Sequence, residues 1–313
     1  MIVSIVVPTY NRKEDLEQCL NSIFKQNFDR NKYELIVIDD GSSDGTRDLI
    51  KKLRSKFPIK YFYQKNQGPA AARNLGIKKA KGEIMAFIDS DCVADKDWLV
   101  NLVKGFNAER KIAGVGGQIR VLNPQSLIEK YADIFLFNHQ ECIENAKEEP
   151  PHMGTLNCAY KVGILKKIGL FDTSPSLIYG EDLDLCWRLY FSGYKLGYSS
   201  KAIVFHQPET LVQQLRKNFI YGSVKCKILK KHQEKLKKDY NSSLSIFQFF
   251  FRDLINLFTL PKRIINRFRK IPAKYRKEKP FWFFILMLFT LDILIYQGFR
   301  LGMVYQVIKM RRR

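Results

Sequence analysis

Acidic residues all but vanish from the last third of this 313-residue chain. Residues 201–313 carry 25 Lys and Arg against 6 Asp and Glu, whereas residues 1–200 carry 28 against 25, and the whole has a formal net charge of +22. The first two thirds are thus close to neutral, and the tail holds the excess. Cysteine is sparse as well. The six (Cys19, Cys92, Cys142, Cys158, Cys186 and Cys226) are scattered without the paired spacing of a zinc ribbon or a disulfide-stapled domain, which fits a reducing compartment. Internal repeats are missing. No leader is expected either, because Met1-Ile2-Val3 runs directly into an apolar strand. Nor does a Gly-rich, Lys- or Arg-bearing loop follow that strand. Pro8-Thr9-Tyr10-Asn11 stands there instead, which argues against a nucleotidyltransferase releasing pyrophosphate.

What is present alternates regularly. The β-branched run 2–7 is followed by Leu16, Cys19, Leu20 and Ile23 at helical spacing. A second run, 34–38, ends in Asp39-Asp40-Gly41 and passes into a helix carrying Leu49, Ile50 and Leu53. Asp40 at that strand tip could accept a hydrogen bond from a base or ribose, or could cap the following helix, a task Ser42, Ser43 or Asp44 could also fill. A short strand over 59–63 leads to Gly68-Pro69-Ala70-Ala71-Ala72-Arg73, where Pro69 suits a first helical turn and Gly82 suits the far end as a cap. Strand, turn and helix in repetition predict a parallel sheet with right-handed crossovers.

The most informative segment is Asp89-Ser90-Asp91. It closes the buried apolar run 84–88, and two carboxylates at a strand's carboxyl end reach into the crevice where open α/β sheets hold ligands. One of them could bind a divalent cation, and the cation a diphosphate. Further on, Glu181, Asp182 and Asp184 fall in the first turn of a helix, where the helix dipole alone would favour acids. His206 directly follows the strand 202–205, as a metal ligand, a diphosphate contact or simply a hydrogen-bonded residue.

Taken together, 4–12, 37–46, 68–76 and Asp89-Ser90-Asp91 resemble the inverting glycosyltransferases of family 2, over roughly residues 2–207. That resemblance implies a GT-A fold, an α/β architecture with a Rossmann-like, mostly parallel sheet flanked by helices. It implies that Tyr10 and Asp40 hold the base of a nucleotide-sugar, with Pro8 and Thr9 shaping the pocket and Arg73 beside the nucleotide. Asp89, with Ser90 between the acids, would face the ribose and metal. Asp91 would be the main ligand of Mn²⁺ or Mg²⁺, with His206 as a further one. Asp182 would be the general base, Glu181 its alternative. Trp187 and Arg188 would line the acceptor or diphosphate region, unless Trp187 is core. Expected partners are a UDP-, GDP- or dTDP-sugar donor and a glycan or lipid-linked acceptor, with no nucleic acid and with self-association open. A polyprenyl-phosphate sugar synthase and a non-catalytic membrane-binding protein on a GT-A scaffold are the alternatives.

The catalytic part is expected over 1–210 and a basic, helical, membrane-associating extension over 211–313. Within 246–260, Gln248, Arg252, Asn256 and Thr259 share one face of an otherwise apolar helix, as in a segment lying along an interface. Ile264, Ile265, Phe268 and Ile271 continue a more basic helical pattern. The run 281–296 is broken only by Thr290 and Asp292. Bases flank it on both sides, so the positive-inside rule places neither flank outside. The reading is a monotopic or re-entrant attachment on the cytoplasmic face of the cell membrane. A single span is the runner-up, and a helical tail buried in a dimer the third option.

Overall fold

A computed structural model of the chain describes residues 3–136, 143, 150–240 and 281–311. The chain divides into two units, Met1–Leu122 with Asn138–Gln207, and Asn123–Phe137 with Pro208–Arg313. A short piece from the middle of the sequence thus belongs with the C-terminal part.

The first unit is built on one eight-stranded sheet. In chain order its strands are β1 (Val3–Thr9), β2 (Tyr33–Asp39), β3 (Ile59–Tyr63), β4 (Ile84–Ile88), β5 (Cys92–Ala94), β6 (Ile112–Val121), β7 (Asn157–Lys161) and β8 (Lys195–His206), arranged 3-2-1-4-7-6-8-5. Strands β3, β2, β1 and β4 are parallel, as the alternation predicts. Strand β7 then runs antiparallel to β4 and β6, while β8 is parallel to β6 and antiparallel to β5. Every residue of β1 and β4 is buried, which is why β4 reads as an unbroken apolar run and β1 as a nearly continuous one interrupted only by Ser4 before Thr9 ends it.

The helices α1 (Lys13–Phe24), α2 (Thr46–Arg54), α3 (Pro69–Lys79), α4 (Trp98–Gly105), α6 (Val162–Ile168) and α7 (Glu181–Phe191) flank this sheet; α5 (Leu127–Tyr131) belongs to the other unit. Leu16, Cys19, Leu20 and Ile23 form the fully buried stripe of α1. Pro69 opens α3 as expected, but Gly82 does not cap it. The helix ends when Ala80 turns extended, and the Gly82 N–H instead donates to Ser4 Oγ at 2.9 Å.

One irregularity decides where β8 ends. Gly117 of β6 faces Ser199, yet the next residue, Gln118, faces Ile203, so β8 carries extra residues at this point. The side chain of Asn157 fills the gap, its Nδ2 donating to Gln118 O at 2.8 Å and Ala202 O at 2.9 Å, while its Oδ1 accepts from Trp98 Nε1 at 2.8 Å. Beyond the bulge β8 resumes and sets His206 opposite Cys92.

In the second unit, α8 (Leu211–Lys231) opens with a capping box between Thr210 and Gln213, and α9 (Gln233–Tyr240) follows. Helix α10 (Phe281–Arg311) packs on α8 through glycines. A side chain at Gly222 would overlap Phe299 O, and one at Gly302 would overlap Phe219 O. With Gly298, Gly302 forms the small-x-x-x-small spacing that lets helix backbones approach closely. Among the described residues no helix is long and apolar enough to cross a membrane. The amphipathic patterns read over 246–271 lie outside the described residues.

A Cβ at Gly117 would run into Ala202 O and the Asn157 carboxamide, and neither can give way without breaking the bulge. Gly117→Ala is expected to cost about 3 kcal/mol, measured by denaturant unfolding. An unchanged midpoint would mean that the bulge relaxes freely.

Candidate active site

Strands β1 and β4 pair only from Val3–Val6 and Ile84–Phe87, so their carboxyl ends part. The chain also moves away from β1 in both directions, to β2 on one side and β4 on the other. This is the switch point at which open α/β sheets form a ligand crevice. Thr9 O accepts the Asp40 N–H at 2.9 Å, so alternation along the ladder turns the nitrogen of Pro8 towards the β4 side, where pairing has stopped. Proline therefore sacrifices no sheet bond there.

The loops above β1 and β2 are stitched together. Asn11, at φ 49°, donates its N–H to Ser42 Oγ at 3.0 Å and accepts Ser43 N–H through Oδ1 at 2.8 Å. Asp44 accepts the N–H groups of Lys13 and of Thr46, the first residue of α2, while Gly45 stands at the N-cap without a side-chain cap. Asp40 does something else. Its carboxylate takes hydrogen bonds from Gln64 Nε2 (2.7 Å), Gln67 N (2.9 Å) and Gly68 N (2.8 Å), pinning the loop that enters α3. Tyr10 stands exposed over this floor, and Thr9 is buried with its Oγ1 lacking a partner among the described residues.

Arg73 joins the two acidic segments. The side chain is buried, with Nη1 2.8 Å from Glu181 Oε1 and Nη2 2.8 Å from Asp89 Oδ1, and the guanidinium lies 6.0 Å from the Phe171 ring centre. Burial opposes its charge, but Asp89 and Glu181 outweigh that and raise its pKa further. Glu181 is thereby committed to an ion pair. Asp182, half-buried beside it, accepts the Leu183 N–H at 2.7 Å. Burial first and the Glu181 charge second push the Asp182 carboxyl up to about 6, against the opposing pull of Leu183 N–H and Arg73.

Asp91, Cys92 and His206 form the third cluster, with one ligand atom of each within 4.8 Å of the others. His206 Nε2 is 3.6 Å from Asp91 Oδ2, and Cys92 Sγ is 3.7 Å from Asp91 Oδ1. A carboxylate, an imidazole and a thiol are a donor set that fits a divalent metal. Arg12, which the sequence did not single out, places Nη1 2.9 Å from Asp91 Oδ2. Ser90 is buried between the two acids. Burial raises the thiols of Cys19 and Cys92, and Asp91 and Asp89 raise them further.

Two expected acceptor residues lie elsewhere. Trp187 has no exposed surface, donates Nε1 to Pro150 O at 3.2 Å and packs edge-on to Phe191, so it is core. Arg188 spends its guanidinium on structure, donating to Asp184 Oδ2 (2.8 Å), Ile168 O (2.7 Å) and Leu170 O (2.6 Å). It caps the carboxyl end of α6, where a cation is favoured. Neither is available to an acceptor.

A model of glycosyl transferase family 2 matches residues 4–169, and the chain belongs to that family. Glycosyltransferase AglE of Haloferax volcanii is 29% identical over 227 residues, covering 70% of this chain and 71% of that protein. A poly-β-1,6-N-acetyl-D-glucosamine synthase of Staphylococcus aureus is 28% identical over 214 residues, covering 67% of this chain but only 51% of the synthase. The chain thus spans about half the length of that synthase. Among solved structures, a mannosyltransferase of Pyrobaculum calidifontis, determined with GDP-Man and Mn²⁺, superposes at a TM-score of 0.62 with 18% identity, over 97% of this chain and 86% of its own. Residues 1–349 of S. aureus TarS, determined with UDP, superpose at 0.52 with 18% identity, over 97% and 90%. The fold is GT-A, and the protein is a glycosyltransferase.

Replacing Arg188 by Met takes the guanidinium away from the buried carboxylate of Asp184 and from the carboxyl end of α6. We expect a loss of about 3–5 kcal/mol in a thermal or denaturant melt, with nucleotide affinity unchanged in the protein that remains folded. A specific loss of affinity at full stability would return Arg188 to the ligand site.

Proposed function

We propose that the protein is an inverting glycosyltransferase that moves a sugar from a nucleotide-sugar to a hydroxyl of a glycan or lipid-linked saccharide. The observation that carries this reading is the meeting, through Arg73, of the Asp89 segment with the acidic start of α7, beside the switch-point crevice. Donor binding is supported by the exposed Tyr10 above the stitched loops, and by solved neighbours determined with GDP-Man, UDP and UDP-GlcNAc. In this reading Asp40 and Arg73 serve the donor partly by rigidity, since each is already engaged by the protein.

Asp182 is the base. With Glu181 held by Arg73, Asp182 is the member of the pair left to take a proton, and a carboxyl raised to about 6 is ionised at neutral pH yet basic enough to accept one. The acceptor O–H gives its proton to Asp182 while its oxygen bonds to the anomeric carbon. The bond from that carbon to the diphosphate oxygen breaks, and the nucleoside diphosphate leaves from the opposite face. No side-chain nucleophile takes part. Asp91 and His206 would hold Mn²⁺ or Mg²⁺, whose charge offsets the negative charge gathering on the leaving diphosphate. A polyprenyl phosphate oxygen is already anionic at neutral pH and needs no base, so the raised carboxyl favours a hydroxyl acceptor over a lipid-phosphate one. The excess charge of residues 201–313 supports attachment to an anionic membrane on its cytoplasmic face.

Two outcomes follow. Turnover requires ionised Asp182, so the rate should be flat above neutral pH and fall tenfold per pH unit below about 6; Asp182→Asn should lose 10²–10⁴-fold, to order of magnitude, with donor affinity kept. A rate that rises as pH falls below 6 would remove Asp182 from the role. Melting the protein with UDP, GDP, dTDP or CDP, with and without Mn²⁺, should give a metal-dependent stabilisation by one nucleotide that Asp91→Ala abolishes. Stabilisation by no nucleotide would refute the donor site.

A further inference from the structure

Cys92 directly follows Asp91 and is buried on β5 opposite His206 in register. Its thiol has no part in the sugar-transfer chemistry. The neighbouring groups lie close enough together to share one small ion. Bonds of about 2.0–2.3 Å to O, N and S put tetrahedral ligand atoms about 3.3–3.6 Å apart, and octahedral oxygen ligands of Mg²⁺ about 2.9 Å apart. Here His206 Nε2 is 3.6 Å from Asp91 Oδ2 and Cys92 Sγ is 3.7 Å from the other carboxylate oxygen, Oδ1, and one ligand atom of each of the three residues lies within 4.8 Å of the others, so a modest turn of the carboxylate closes the set on one ion. The imidazole is also oriented. His206 Nδ1 lies 2.6 Å from Gln207 O; a carbonyl can only accept, so Nδ1 donates, and the other ring nitrogen, Nε2, faces Asp91.

We propose that this site takes a borderline-soft divalent ion of the Zn²⁺ and Co²⁺ class, with the Cys92 thiolate as third protein ligand and the remaining position open to a diphosphate oxygen. This rests on the reading that Asp91 and His206 hold the metal. A thiolate discriminates by softness, selecting Zn²⁺-class ions over Mg²⁺. Arg12 occupies the place of the cation on Asp91 Oδ2 and gives way on binding; it is half-exposed, and Asp15 Oδ2, 3.4 Å from its Nη1, is a second carboxylate to which it can turn.

The test is titration of the full chain with Co²⁺ alone, followed by absorbance. The expected result is a near-ultraviolet thiolate-to-cobalt charge-transfer band that saturates at one equivalent and is displaced by Zn²⁺. Cys92→Ser and Cys92→Ala should each abolish the band and weaken Zn²⁺ binding at least tenfold. Cys19→Ala, which removes the other thiol beside these acids, should keep both. Mn²⁺ binding, read separately by electron paramagnetic resonance, should change less than threefold in Cys92→Ser. Saturable Co²⁺ binding without the band, or a band that survives in a folded Cys92 variant, overturns the Cys92 assignment and leaves the Asp91–His206 reading standing. Failure of the folded wild type to bind either Co²⁺ or Mn²⁺, or equal binding by Asp91→Ala, overturns both.

Discussion

A guanidinium can be buried only where carboxylates answer its charge, and Arg73 is buried between two of them. Removing water from three charged groups is costly, and the two carboxylates together offset the burial of the guanidinium. Its consequence is geometric. Asp89 belongs to the end of β4 and Glu181 to the start of α7, and the two meet because one planar group donates to both at 2.8 Å. The same contact divides the labour of the acid pair. Glu181 is consumed as a counter-ion, and its fixed charge, together with burial, is what raises Asp182.

Much of this was legible in the sequence because it sits on strong periodic elements. The parallel strands, the helix from Glu181 and the acids at the tip of β4 all follow from apolar runs with polar ends. The less local features were not legible. That Arg188 is a helix clamp depends on α6 ending at Ile168 within reach of α7, a tertiary fact. The choice for Trp187 between acceptor wall and core needed the helix orientation, since an amphipathic pattern does not say what covers its flank. Asp40 invited a ligand role because a strand-tip carboxylate is usually available; here three donors from the β3–α3 loop reach it first. Cys92 could be suspected only from its adjacency to Asp91, since its pairing with His206 depends on the β8 bulge that Gly117 and Asn157 maintain.

The second unit follows a different logic. Its helices meet through glycine, with Ser223 Oγ donating to Gln306 Oε1 at 3.0 Å and Cys226 Sγ against Met303 O at 3.7 Å, so close backbone approach replaces bulky packing between α8 and α10. The Gly298-x-x-x-Gly302 spacing is the sequence signal for this close approach. The charge remains the feature that supports a membrane role, because self-repulsion at such density is tolerable where an anionic surface neutralises it.

The division of labour at the start of α7 is the claim on which the mechanism stands, and Glu181→Gln tests it most directly. The amide oxygen can still accept from Arg73 while the charge is gone. Followed by turnover against pH, the variant should keep most of its maximal rate, with the acid limb moving below the wild-type value of about 6, because the neighbouring charge that helps to hold Asp182 up has been removed. A rate collapse of 10²–10⁴-fold at all pH values, in protein that still binds the nucleotide, would make Glu181 the base and contradict the account.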